Sequence, residues 1–169
     1  MISTVMFYIA STVALISTLM VITRLNAMHA LLYLIVSLLS VATIFFILGA
    51  EFAAALQVIV YAGAVMVLMV FVIMMLNQGD ASVNQESEWF SARMWRAPAV
   101  LISVLLAELI YLVSSPESVV QAVQTTTLSA KDVGVSLFGP YVLIVELASL
   151  LLLAGLVGAF HLSKFREAK

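Results

Sequence analysis

The sequence predicts an all-α membrane protein with five transmembrane helices, and three observations carry that prediction. Of 169 residues, 64% are hydrophobic and 9% charged, with a mean hydropathy of +1.21; a soluble domain keeps about a quarter of its residues charged. Five segments, at 3–22, 28–49, 52–76, 98–114 and 138–161, come close to the roughly 20 apolar residues that cross a hydrocarbon core of about 30 Å. With the N-terminus outside, the inner loops carry Arg24, Arg93, Arg96, Lys164, Arg166 and Lys169, and the outer loops carry only Lys131. That asymmetry predicts an outer N-terminus and a cytoplasmic C-terminus for a single membrane domain.

The first segment has no basic region before its apolar run and leads straight into a second one, so it reads as a retained span rather than a signal peptide. It ends at "TRLNAMH", a short turn in which Arg24 and Asn26 suit departure from a helix. The second span carries Ser37, Ser40 and Thr43 at spacings of three. Such hydroxyls bond back to their own helix or across to a neighbour. "GAE" at 49–51 leaves almost no loop and predicts a tight antiparallel hairpin between spans two and three. The inner loop 77–97 is polar at first. It then turns to "EWFSARMWR", where Trp89, Phe90, Met94 and Trp95 beside Arg93 and Arg96 suit a segment anchored at headgroup level or a partner-docking helix. The outer loop 115–137 is rich in Ser, Thr and Gln, and Pro140 suits the first turn of span five.

Ionisable residues inside a bilayer cost several kcal/mol and are functional candidates by default. Glu146, about two turns into span five, shares a face with Val142 and Ser149. It fits either a link to a partner subunit or a neutral carboxyl making one interhelical bond. Glu108 lies near enough to the end of span four to snorkel, and Glu51 suits the positive N-terminus of span three. His29 and His161 stand apart with no cysteine in the chain, so neither a metal site nor thiol chemistry is expected. No phosphate-binding, dinucleotide or metalloprotease motif occurs. "AGLVGAF" offers Ala154/Gly158 and Gly155/Ala159 as small pairs for close helix contact.

The stretch "VIVYAGAVMVLMVF" (58–71) places Tyr61 and Gly63 near the middle of span three. A packing groove would need a small residue four positions from Gly63, but Ile59 and Val67 stand there. The alternative is a deformable midpoint: Gly weakens a helix by about 1 kcal/mol relative to Ala, and kinks or π-bulges gather at such positions. Gln57 and Tyr61, at i and i+4, would then offer hydrogen bonds to the freed backbone or to water.

Three stretches resemble the subunit J family of bacterial proton-translocating NADH:quinone oxidoreductases, the counterpart of mitochondrial subunit 6. They are "NAMHALLYLIVSLL" (26–39), "FILGAEFAAALQVIVYAGAVMVLMVFVIMMLN" (46–77) and "SAKDVGVSLFGPYVLIVELASLLLLAGLVGAF" (129–160). Ala27 stands where the family often has Pro, and Gln57 where some members have Glu. The resemblance implies a multi-pass subunit of the bacterial inner membrane, N-terminus periplasmic, packed among subunits H, A, K and N, with lipid around it and neither nucleic acid nor a second copy as partner. It implies no cofactor in this chain, since FMN, iron–sulfur clusters and quinone lie elsewhere in the complex. It also implies a π-bulge at Tyr61 and Gly63 that gates a water path coupling quinone reduction to proton pumping. Val65, Met66 and Leu68 would form its dry plug, and Glu51, Gln57 and Glu146 are supporting polar residues. An autonomous transporter is the contrasting class, but Glu108 and Glu146 are off-centre and no internal repeat is present. A related hydrogenase or antiporter complex built on the same module is the other.

Overall fold

The computed structural model describes residues 2–76, 92–114 and 129–167, and the chain divides into two compact units, before and after Thr127. The described residues include five helices long and apolar enough to cross a membrane: Ser3–Thr23, Ala27–Ile47, Glu51–Met75, Trp95–Ser114 and Val142–Leu162.

In the first unit, α1 (Ile2–Thr23) and α2 (Ala27–Ile47) form an antiparallel hairpin. Asn26 does more than end a helix, because its side chain accepts hydrogen bonds from the Met28 and His29 backbone N–H groups at 3.0 and 3.3 Å and caps α2. This satisfies donors that the first turn leaves orphaned. The seam is narrow because small and hydroxyl residues line it. Ser40 donates to the Ala10 carbonyl, and the Thr18 and Ser37 hydroxyls pair at 2.9 Å. Thr43 instead bonds back to Leu39 of its own helix at 3.1 Å. Lipid tails are as apolar as leucine, so close packing and hydroxyl bonds of this kind hold membrane helices together.

α2 ends in a Schellman motif. Gly49 adopts φ 78, and the Gly49 and Ala50 N–H groups reach back to the Phe46 and Phe45 carbonyls. That left-handed position favours Gly and turns the chain directly into α3, which comprises Glu51–Leu56, a π-helical stretch Gln57–Val65 and Met66–Leu76.

α4 (Ala92–Ser114) packs on α1 and α2. Leu105 joins Val13 and Val36 in one cluster, and Leu112 joins Met6, Ala10 and Ile47 in another. These pairings run α4 antiparallel to α1 and parallel to α2. α4 begins six residues ahead of the start expected at 98, so residues 92–97 are helical rather than loop, while 77–91 lie outside the described residues. Hydropathy falls at Arg93 and Arg96, but backbone hydrogen bonding does not follow hydropathy. Pro98, itself buried, is accommodated inside α4 at the loss of one backbone donor.

In the second unit, α5 (Ala130–Phe138) occupies the end of the expected outer loop, of which 115–128 lie outside the described residues. A capping box starts it: the Ser129 hydroxyl accepts from the Lys131 N–H at 3.3 Å, and the Ser129 N–H donates to the Asp132 carboxylate at 3.2 Å. Gly139, Pro140 and Tyr141 then turn the chain into α6 (Val142–Glu167), four residues later than expected. Pro140 thus precedes the helix instead of lying in its first turn. Nothing within this unit comes within 4 Å of a Cβ built at Gly155 or Gly158, so their expected close contact does not lie inside it.

Candidate functional site: a π-helical joint in the third helix

A π-helix pairs each N–H with the carbonyl five residues back, one more than an α-helix, and usually occurs as a single turn. Here it runs for nine residues, Gln57–Val65, between two α-helical halves, and at its end the Met66 N–H reaches the Tyr61 carbonyl. Gly63 sits inside it. A Cβ built on Gly63 would stand 3.3 Å from the Val58 carbonyl oxygen, five residues back, a tight contact that a side chain there could make only if that backbone oxygen gave by a few tenths of an ångström.

The accommodated extra residue shifts the phase of everything after it by one residue, about 100°. Met66 is therefore the buried residue just beyond the joint, at 6% exposure, on the side of α3 packed against α2. Val70 and Ile73, half-buried, continue that face. Val65 and Leu68 are exposed at 40% and 63%, so of the expected plug residues only Met66 faces inward here. Gln57 is half-buried whereas Tyr61 is 53% exposed, so the two do not share the environment expected of an i, i+4 pair.

Glu51 stands exposed in the first turn of α3. With Thr43 it supplies the polar side chains lining a groove of about 350 Å³ between α2, the first half of α3 and α4, whose walls include Ala54, Val58, Leu105 and Leu109. Glu146 lies exposed in the second unit, its carbonyl accepting from the Ser149 hydroxyl at 2.7 Å.

Glu108 departs most from expectation. It does not snorkel: it is 7% exposed, and both carboxyl oxygens are buried without a hydrogen-bond partner. Its position between Leu105 and Leu112, three and four residues away, puts all three on one face of α4, a spacing that could have marked it as a seam residue. His29 stacks at a tilt on Tyr33, 5.0 Å between ring centroids, and among the described residues no group of three potential ligands could hold a metal ion.

A four-helix unit with a π-helical stretch in its third helix, and a fifth apolar helix later in the chain, defines a polytopic membrane protein whose distinguishing feature is that stretch. The profile of the NADH-ubiquinone/plastoquinone oxidoreductase chain 6 family matches residues 17–162. NADH-quinone oxidoreductase subunit J of Escherichia coli is 52% identical over 162 residues, covering 96% of this chain and 87% of that one. The protein of the same name from Pseudomonas aeruginosa is 55% identical over 163 residues, covering 96% and 97%. That from Buchnera aphidicola of Schizaphis graminum is 48% identical over 161 residues, covering 95% and 98%. The chain belongs to this family.

Proposed function

We propose that this chain is a membrane-arm subunit of a proton-translocating NADH:quinone oxidoreductase, in which α3 is a two-state joint linking quinone reduction to proton movement. The observation that carries the coupling role is the π-helical stretch Gln57–Val65 around Gly63. Family membership supports the assembly.

The joint works by register. Absorbing the extra residue into continuous α-helix, with the first half of α3 fixed, returns the second half by about 100°. Val65 then takes the inward place of Met66, and Met69 and Val72 take those of Val70 and Ile73. Leu68 swings to within about 60° of the inward direction. A β-branched valine replaces a long flexible methionine against α2, changing the shape of the seam and its room for water. Both registers keep the backbone bonded, as the hydrocarbon core demands, so interconversion costs little. Tyr61 brings a hydroxyl to the joint, and Gln57 and Glu51 add polar groups on the half that stays fixed.

In this reading the chain carries no redox group, and FMN, iron–sulfur clusters and quinone belong elsewhere in the complex. Its neighbours are subunits H, A, K and N and the lipid of a bacterial inner membrane, with the N-terminus periplasmic and the C-terminus cytoplasmic. Glu146 ties α6 to a neighbour. The test is NADH:quinone turnover and proton pumping in inverted vesicles carrying Gly63→Val. The reading expects both to fall with assembly intact, and wild-type values for both would refute it.

A further inference from the structure

The joint needs a proton-carrying group to serve, and one buried acid of this chain has no role so far. We infer that Glu108 is a proton-binding site of the α1–α2–α4 seam, beside the groove between α2, α3 and α4. The inference rests on the coupling role proposed above and names the acid in this subunit that it serves.

The geometry is specific. Glu108 lies between two apolar clusters, Val13–Val36–Leu105 and Met6–Ala10–Ile47–Leu112, at 7% exposure and with neither carboxyl oxygen bonded. The same pairings put it at the depth of Ala10, Ser40 and Thr43. No cation of a packed element is near enough to neutralise it. α1 contains no charged residue, and its Tyr8 is exposed. On α2 the titratable side chains are His29 and Tyr33, at its far end, His29 about 16 Å along the axis from Ser40. On α4, Arg96 lies about 18 Å back along the helix, and Tyr111, 39% exposed, is one turn on. α3 offers Glu51, a like charge, at the groove. An ionised carboxylate without partner or water is intolerable in such a seam. A bound proton removes the charge, and water supplies the missing hydrogen bonds.

The groove adjoins this seam at Leu105, which belongs to both, while Glu108 itself does not line it. Leu105 and Leu109, flanking Glu108 on α4, form one wall, Thr43 lies beside them, and Glu51 and Val58 stand opposite. Val58 belongs to the π stretch, so the joint borders the groove beside the acid. The step is proton transfer alone: an O–H bond forms on a Glu108 oxygen as one breaks on a hydronium ion, leaving water, and the reverse returns the proton to a water molecule.

Infrared difference spectra of the complete complex in native lipid, wild type minus Glu108→Gln, test the site at a pH where exposed carboxylates are ionised. The proposal expects one protonated-carboxyl C=O band, moved by D2O and absent from the Gln variant. Glu108→Asp, which keeps the acid, should shift that band without removing it and serves if the Gln complex assembles poorly. Carboxylate stretches in the difference spectrum would overturn the proposal, since they would mean an ionised group paired by another subunit. The two ideas fail separately: normal pumping by Gly63→Val vesicles refutes the joint, whereas the Glu108 band reports only on the acid.

Discussion

Replacing Gly63 with alanine tests the joint at its tightest point. In an α-helical register the added methyl follows ordinary helix propensity, worth about 1 kcal/mol over glycine. In the π register the same methyl meets the Val58 carbonyl oxygen at 3.3 Å, and a backbone oxygen must give by a few tenths of an ångström. If that contact cancels between half and all of the gain, the substitution favours the α register by about 0.5–1 kcal/mol, a shift of about two- to fivefold in the ratio of registers. Valine, branched at Cβ, meets the same oxygen with less freedom to rotate and should shift it further. The assay is quinone-coupled NADH oxidation and proton pumping in inverted vesicles, normalised to assembled complex on native gels. The expected order of pumping is wild type, then Gly63→Ala, then Gly63→Val, with assembly unchanged. Equal pumping in all three would refute the register argument.

Three further outcomes follow from the packing. Ser40→Ala removes the hydroxyl bond to the Ala10 carbonyl in a fully buried seam and should lower the stability of the α1–α2 hairpin by about 0.6 kcal/mol, read as a lower melting temperature of the purified complex. Asn26→Ala removes both N-cap bonds of α2 and should cost about 1 kcal/mol, seen as faster amide exchange at Met28 and His29. Gly139→Ala would put a Cβ 2.7 Å from the Val135 carbonyl oxygen. The forced backbone shift should cost about 1–3 kcal/mol and speed amide exchange at Tyr141 and Val142.

The spans were legible because a bilayer imposes one rule on composition: about 20 apolar residues for each crossing. The hairpin at Gly49 was legible for a similar reason, since a one-residue positive-φ turn leaves little besides glycine to choose from. The joint was half legible. Gly63 marks a weak point, but nothing in the order of residues gives nine π-helical residues rather than a kink, because that depends on how α2 receives Met66 instead of Val65. Helix ends were harder. The start of α4 was hidden by Arg93 and Arg96, which change hydropathy without breaking a helix, and α5 by the polar segment around it, although Ser129 and Asp132 spell a capping box. Glu108 departs from the snorkelling expectation because distance to the span end does not decide burial, which depends on which face of α4 meets α1 and α2.

The central claim is that α3 changes register about Gly63, and high-resolution structures of the intact complex, oxidised at rest and trapped during quinone turnover, test it most directly. The account predicts two registers: one with Gln57–Val65 π-helical and Met66 against α2, the other α-helical throughout with Val65 in that place. A π-helix unchanged in every state, with Met66 always inward, would contradict it.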